Sequence, residues 1–89
     1  MGYSVVISDE HQWGKDCAKI PQDQLQKILR KIQGLTSEPW AANAQVKQLH
    51  NYDLANVRLR IGDYRVLFDK NDTSKTIRLF RVLHRSKLY

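Results

Sequence analysis

The dipeptide Gly62-Asp63 constrains this chain more than any other feature. It separates two stretches, 55–61 and 64–69, in which apolar and polar residues alternate. A two-residue connection of this composition favours a type II′ hairpin, whose backbone twist matches that of the flanking strands. A turn of fixed length also fixes the pairing, so Ile61 faces Tyr64, Arg60 faces Arg65, Leu59 faces Val66 and Arg58 faces Leu67. Val57, Leu59, Ile61, Tyr64, Val66 and Phe68 then share one face, which must be packed against something. Asn56, Arg58, Arg60 and Arg65 share the other. Like charges directly opposed on a sheet destabilise it by up to about 1 kcal/mol per pair. Arg60 against Arg65, with Arg58 beside them, adds repulsion rather than packing, and an anionic ligand would supply the missing counter-charge. The alternative is a solvated face whose arginines pair with Asp53, Asp69 and Asp72.

The rest of the chain supplies the layer that covers the apolar face. Tyr3 to Ser8 reads as a strand around Val5, Val6 and Ile7, and Ser8 or Asp9 suits the N-terminus of a following helix. Trp13, Cys17 and Ile20 fall on one helical stripe. Pro21 ends that helix and opens a second, in which Leu25, Ile28, Leu29, Ile32 and Leu35 repeat with a 3.6-residue period until Gly34 offers a stop. After a turn-rich connector at 36–44 the period changes to two, with strands near 46–50, 55–61, 64–69 and 76–83. The expectation is one α+β domain spanning 1–89, in two layers, with an N-terminal strand and an α-hairpin packed on an antiparallel β-sheet. Carrying the register across the loop at 70–75, with Asp69 opposite Thr76, puts Arg78, Phe80, Val82 and His84 on the arginine face. A bulge would flip everything beyond it.

Charge says what such a face could meet. Residues 1–43 carry five Lys/Arg and five Asp/Glu, whereas residues 44–89 carry ten Lys/Arg against four Asp, which accounts for the net charge of +6. One-sided positive charge attracts polyanions, and arginines interleaved with aromatic rings can grip phosphates while stacking bases. The other open reading is a basic domain that meets an acidic protein. No apolar run approaches the ~20 residues that span a bilayer. Cys17 is the single cysteine, and a reducing cytoplasm is expected. His11, His50 and His84 lack the spacing and partners of a metal site, and no phosphate loop or catalytic serine triad is recognisable, so neither metal nor cofactor is expected. Trp40, beside Pro39, is either a stacking residue or a lid over the core.

The stretches Val46-Lys47-Gln48-Leu49, Asn56 to Phe68 and Arg81-Val82-Leu83-His84-Arg85-Ser86-Lys87-Leu88-Tyr89 resemble the RelE/ParE toxin superfamily over essentially the whole chain. The resemblance implies a type II toxin with a cognate antitoxin in a hetero-oligomeric complex. For the RelE-like branch it implies a metal-independent endoribonuclease that cleaves mRNA in the ribosomal A site and so inhibits translation. Attack of a ribose 2′-OH on its own phosphate, leaving a 2′,3′-cyclic product, needs a base, cations and an acid. By resemblance Arg65 matches the phosphate-binding arginine, Arg58 stands in place of a strand lysine, Tyr89 matches a base-stacking C-terminal tyrosine, and Arg85 or Arg81 matches an arginine at the end of the last strand. The best-known RelE enzyme has two lysines where this chain has Asn56 and Arg58. Arginine is no practical base, so the proton-exchanging role moves to His84, a residue of the kind some relatives use near the C-terminus; a plain surface histidine is the competing reading. Lys47, Arg60, Arg78, Arg81 and Lys87 are the further RNA-binding candidates. Two other functions stay open: inhibition of DNA gyrase, as in the ParE branch, and non-catalytic RNA binding.

Overall fold

The computed structural model describes residues 2–36, 46–48 and 55–87. Trp40, His50, Asp53 and Tyr89 lie outside this set. The elements run β1 (Ser4–Ile7), α1 (Glu10–Ala18), α2 (Gln22–Gly34), β2 (Val46–Gln48), β3 (Val57–Ile61), β4 (Tyr64–Asn71) and β5 (Thr76–His84), followed by a 3-10 turn at Arg85–Lys87. Asp9 rather than Ser8 caps α1, its carboxylate accepting the Gln12 N–H at 3.1 Å and satisfying a donor that the first helical turn leaves open. Pro21 precedes α2 and its carbonyl accepts the Leu25 N–H at 2.9 Å. Ile28, Ile32 and Leu35 of the predicted α2 stripe are buried, whereas Leu29 turns outward and stays 46% exposed.

The five strands are ordered β1-β5-β4-β3-β2. The sheet is mixed, not wholly antiparallel as expected, because β1 pairs with β5 in parallel. The two helices carry the chain to the opposite edge at β2, and three reversals then bring β5 back beside β1 running in the same direction. Both helices contribute to one core with the sheet: Trp13, Ile20, Ile28, Ile32 and Leu35 pack on Val57, Leu59, Val66, Phe68, Ile77, Leu79 and Val82. Each such side chain removed from water contributes roughly 1.5–3 kcal/mol. Central β4 is buried on both sides, with Val66, Leu67 and Phe68 all at 0% exposure.

The β3–β4 hairpin has the register that its turn dictates, from Ile61 opposite Tyr64 to Val57 opposite Phe68. Gly62 has φ +57°, as the first loop position of a type II′ turn requires. The β4–β5 register differs from the expected one. Strand β4 continues to Asn71, which lies opposite Thr76, while Asp69 lies opposite Arg78. The Asn71 side chain rounds the turn by accepting the N–H groups of Thr73 and Ser74, both at 3.0 Å. Farther along, Phe68 faces Leu79 but Leu67 faces Arg81, so Phe80 is the extra residue of a β-bulge. Unbroken alternation would turn Arg81 into the core after Ile77 and Leu79. The bulge puts Val82 there instead, opposite Val66 and 1% exposed. It also sends His84 to the helix side, opposite Tyr64, which corrects the expectation that Val82 and His84 join the arginines.

Candidate functional site

On the sheet face away from the helices, the pairings set Lys47 beside Arg58 and Arg60 beside Arg65. Arg78 lies farther along, opposite Asp69. Alternation places Phe80 on this face, half-buried, around the buried Leu67. Lys47, Arg60 and Arg78 are exposed, and Arg58 is half-buried. Among the described residues Arg60 and Arg78 form no ion pair. Of the carboxylates expected to neutralise the face, the two described ones have other contacts: Asp69 accepts the Asn56 N–H at 2.8 Å, and Asp72 accepts the Tyr3 hydroxyl at 2.7 Å and lies 3.8 Å from the Lys70 ammonium. Asp72 thereby holds the Tyr3 phenol above its ordinary pKa, the hydrogen bond being the main cause.

Arg65 behaves differently from the free cation that the alternation suggested. It is 7% exposed, and its Nη1 donates to the carbonyls of Gly62 and Tyr64, both at 2.9 Å. The guanidinium braces the hairpin turn, so Arg65 contributes to structure and not only repulsion. Arg81 is also committed. Its Nε and Nη2 donate to the two oxygens of Asp16 at 2.7 and 2.9 Å, a bidentate pair of the geometry that guanidinium and carboxylate favour. Arg81 is thus a tie between β5 and α1 rather than an open RNA-binding arginine.

Asp16 had no place in the sequence reading, although it lies beside Cys17 and three residues after Trp13, where a helix turns inward. Strand β1 covers β5 only as far as Leu79, so beyond the bulge the outer edge of β5 has no strand partner among the described residues. Asp16, 2% exposed, takes over there by accepting the Val82 N–H at 3.2 Å, and Gln12 donates to it at 3.1 Å. Burial alone would raise its carboxyl pKa, but the bonds from Arg81, Val82 and Gln12 together hold it below the ordinary value. Burial, aided by the Asp16 charge, pushes the neighbouring Cys17 thiol up, consistent with a core cysteine.

At this end of the molecule lies a cavity of about 530 Å³ lined by Asp16, Lys19, Ile20, Tyr64, Arg81, Val82, Leu83, His84 and Lys87. His84 meets Tyr64 edge to face, with centroids 5.4 Å apart and planes at 90°. Its Nδ1 accepts the Ser86 N–H at 3.2 Å and lies 2.9 Å from the Ser86 hydroxyl. Ser86 thus engages Nδ1 and leaves Nε2 for another partner. Arg85 is exposed just beyond, its N–H donating to the Asp63 carbonyl at 2.8 Å and its Nε 3.7 Å from the Asp63 carboxylate. The candidate residues thus fall into two groups. Lys47, Arg58, Arg60, Arg65 and Arg78 share the open face, while Arg81, His84 and Lys87 line the cavity on the helix side, joined there by Lys19 and Tyr64. Tyr89 lies outside the described residues.

Two helices packed on a five-stranded mixed sheet match the RelE-like α+β fold. The family model described as the ParE toxin of the type II toxin–antitoxin system parDE matches residues 12–89. The chain belongs to that family, within the RelE/ParE superfamily, and is a type II toxin. It is similar to chains in two solved complexes. One is the toxin–antitoxin complex RelBE2 from Mycobacterium tuberculosis, with 26% identity, coverage of 96% of this chain and 100% of that one, and a TM-score of 0.75. The other is the archaeal RelE–RelB complex from Pyrococcus horikoshii OT3, with 26% identity, 98% and 99% coverage, and a TM-score of 0.76. A free-state variant of the E. coli toxin RelE shares the fold at 18% identity, with 99% and 88% coverage and a TM-score of 0.69. No curated protein sequence matches significantly.

Proposed function

We propose that this toxin is a ribosome-dependent endoribonuclease that cleaves mRNA in the A site. The observation that carries the reading is the open sheet face, where Lys47, Arg58, Arg60 and Arg78 surround Leu67 and Phe80 in a fixed register. Cations spaced along strands suit a single-stranded phosphate backbone, and a half-buried ring suits a base. The scissile step belongs at the end of β5. There His84 exchanges protons, taking one from the 2′-OH or giving one to the leaving 5′-oxygen as the P–O5′ bond breaks. Arg85 and the neighbouring lysines stabilise the crowded phosphate charge. The RNA would pass from the open face around the end of β5 beyond Val82, since Asp16 of α1 takes the edge at Val82 itself. Such a shallow arrangement leaves much of the orientation to the ribosome. An antitoxin would be the natural partner, as in the RelBE complexes that the chain resembles.

Inhibition of DNA gyrase is the second reading. It is favoured by the parDE family model and by the bulge, which separates His84 from the arginines that a compact nuclease site would keep together. Primer extension on a reporter mRNA after brief expression, with gyrase supercoiling followed in parallel, separates the two. Translation-dependent cuts with unaffected supercoiling support the nuclease, and lost supercoiling with intact mRNA supports the gyrase reading.

A further inference from the structure

We infer that the cavity between α1 and the end of β5 is a nucleotide pocket, taking one phosphate and its base from single-stranded RNA. The choice of RNA as the source rests on the nuclease reading; the chemistry of the pocket rests on the cavity itself. Its volume of about 530 Å³ lies within the span of roughly 300–1,000 Å³ typical of small-ligand sites. Its polar lining is nearly all cationic or aromatic. The one acid, Asp16, is spent on Arg81, which leaves Lys19 and Lys87 from two different elements with no carboxylate partner among the described residues. Lys19 sits at the C-cap of α1 and offsets the partial negative charge that helix carbonyls present there.

The remaining lining is apolar: Ile20, Val82, Leu83 and the Tyr64 ring. A ligand complementary to all of this is anionic at one end and flat and apolar at the other. A nucleotide has that shape. Tyr64, held edge to face by His84, offers a ring to a base. Because Ser86 occupies Nδ1 of His84, Nε2 is the nitrogen left for a ligand. An acidic peptide would meet the two lysines equally well but would make less use of the aromatic wall.

The pocket can be tested without ribosomes. The intact protein is titrated with uridine 3′-monophosphate, adenosine 3′-monophosphate, unphosphorylated uridine, inorganic phosphate and an acidic peptide, followed by NMR of backbone amides and histidine rings. The proposal expects the nucleotides to shift signals of Lys19, Tyr64, His84 and Lys87. It also expects uridine and phosphate alone to bind at least tenfold more weakly. The Lys19→Ala/Lys87→Ala double variant, altered only at exposed side chains, should lose at least tenfold in nucleotide affinity while keeping the wild-type amide pattern elsewhere. Nucleotide shifts confined to Arg60 and Arg78 overturn the proposal, as does phosphate binding as tightly as the nucleotides, or a peptide that binds where nucleotides do not. If nucleotides bind the cavity but no mRNA is cut on ribosomes, the pocket stands and the nuclease reading falls.

Discussion

Replacing Asp16 by alanine removes four hydrogen bonds at once, two to Arg81 and one each to Val82 and Gln12. Breaking a buried charge pair costs about 3–5 kcal/mol, because the surviving partner stays desolvated. The Arg81 side chain is 31% exposed and recovers some hydration, which places the expected loss near the lower end, about 3 kcal/mol. For a chain of 89 residues, each kcal/mol moves the melting point by roughly 4–8 °C, so Tm should drop by roughly 12–24 °C. Asp16→Asn keeps an acceptor and loses the charge, and should fall between the two proteins. Urea and thermal unfolding measure both variants. The carboxyl of Asp16 lies below its unfolded pKa in the folded protein. Its contribution is therefore complete above the unfolded value of about 3.9 and is lost as pH falls through the folded value. The wild-type stability curve should accordingly drop more steeply in acid than that of Asp16→Asn. An Asp16→Ala protein that melts within a few degrees of wild type would refute the argument that this carboxylate ties α1 to the free edge of β5.

Three further outcomes follow from the geometry. Arg65→Ala should destabilise the fold by roughly 1.5–3 kcal/mol, the range for hydrogen bonds to a charged group, since Arg65 braces the turn through Gly62 and Tyr64; unchanged urea unfolding would show the brace to be dispensable. Gly62→Ala forces a side chain onto φ +57° and should cost about 1–2 kcal/mol by thermal unfolding; a neutral result would mean the turn relaxes to another type. The open face is also where an acidic antitoxin segment would find complementary charge, so Arg60→Glu with Arg78→Glu, both exposed, should slow its association at low salt in stopped-flow measurements and flatten the dependence on ionic strength. Association rates indifferent to both changes would move the antitoxin away from the open face.

The hairpin around Gly62-Asp63 was legible because a two-residue turn leaves no freedom in pairing: every partner from Ile61–Tyr64 to Arg58–Leu67 follows from its length. The helical stripes were legible for the same kind of reason, since Ile28, Ile32 and Leu35 repeat with the helical period. The β4–β5 pairing was not, because a longer loop admits several registers and Leu79-Phe80-Arg81-Val82 offers apolar residues on both parities. What breaks the tie is the cost of burying Arg81, together with its partner Asp16, 65 positions away in sequence. That contact is tertiary and has no local signature. The parallel pairing of β1 with β5 was equally hidden, since Val5, Val6 and Ile7 read as a strand whichever neighbour they take. As a result the composition of the site was visible but its division into an open face and an end cavity was not: the bulge at Phe80 decides on which side His84 falls.

Single-turnover cleavage of mRNA on programmed ribosomes, compared with the same RNA free in solution, addresses the central claim most directly. Cutting in the A site is expected on ribosomes, with little cutting of naked RNA and a loss of roughly 10²-fold or more for His84→Ala, the magnitude of general acid–base catalysis. Cleavage by His84→Ala at the wild-type rate would contradict the assignment of the proton-exchanging group, and intact mRNA on toxin-loaded ribosomes would contradict the nuclease function itself.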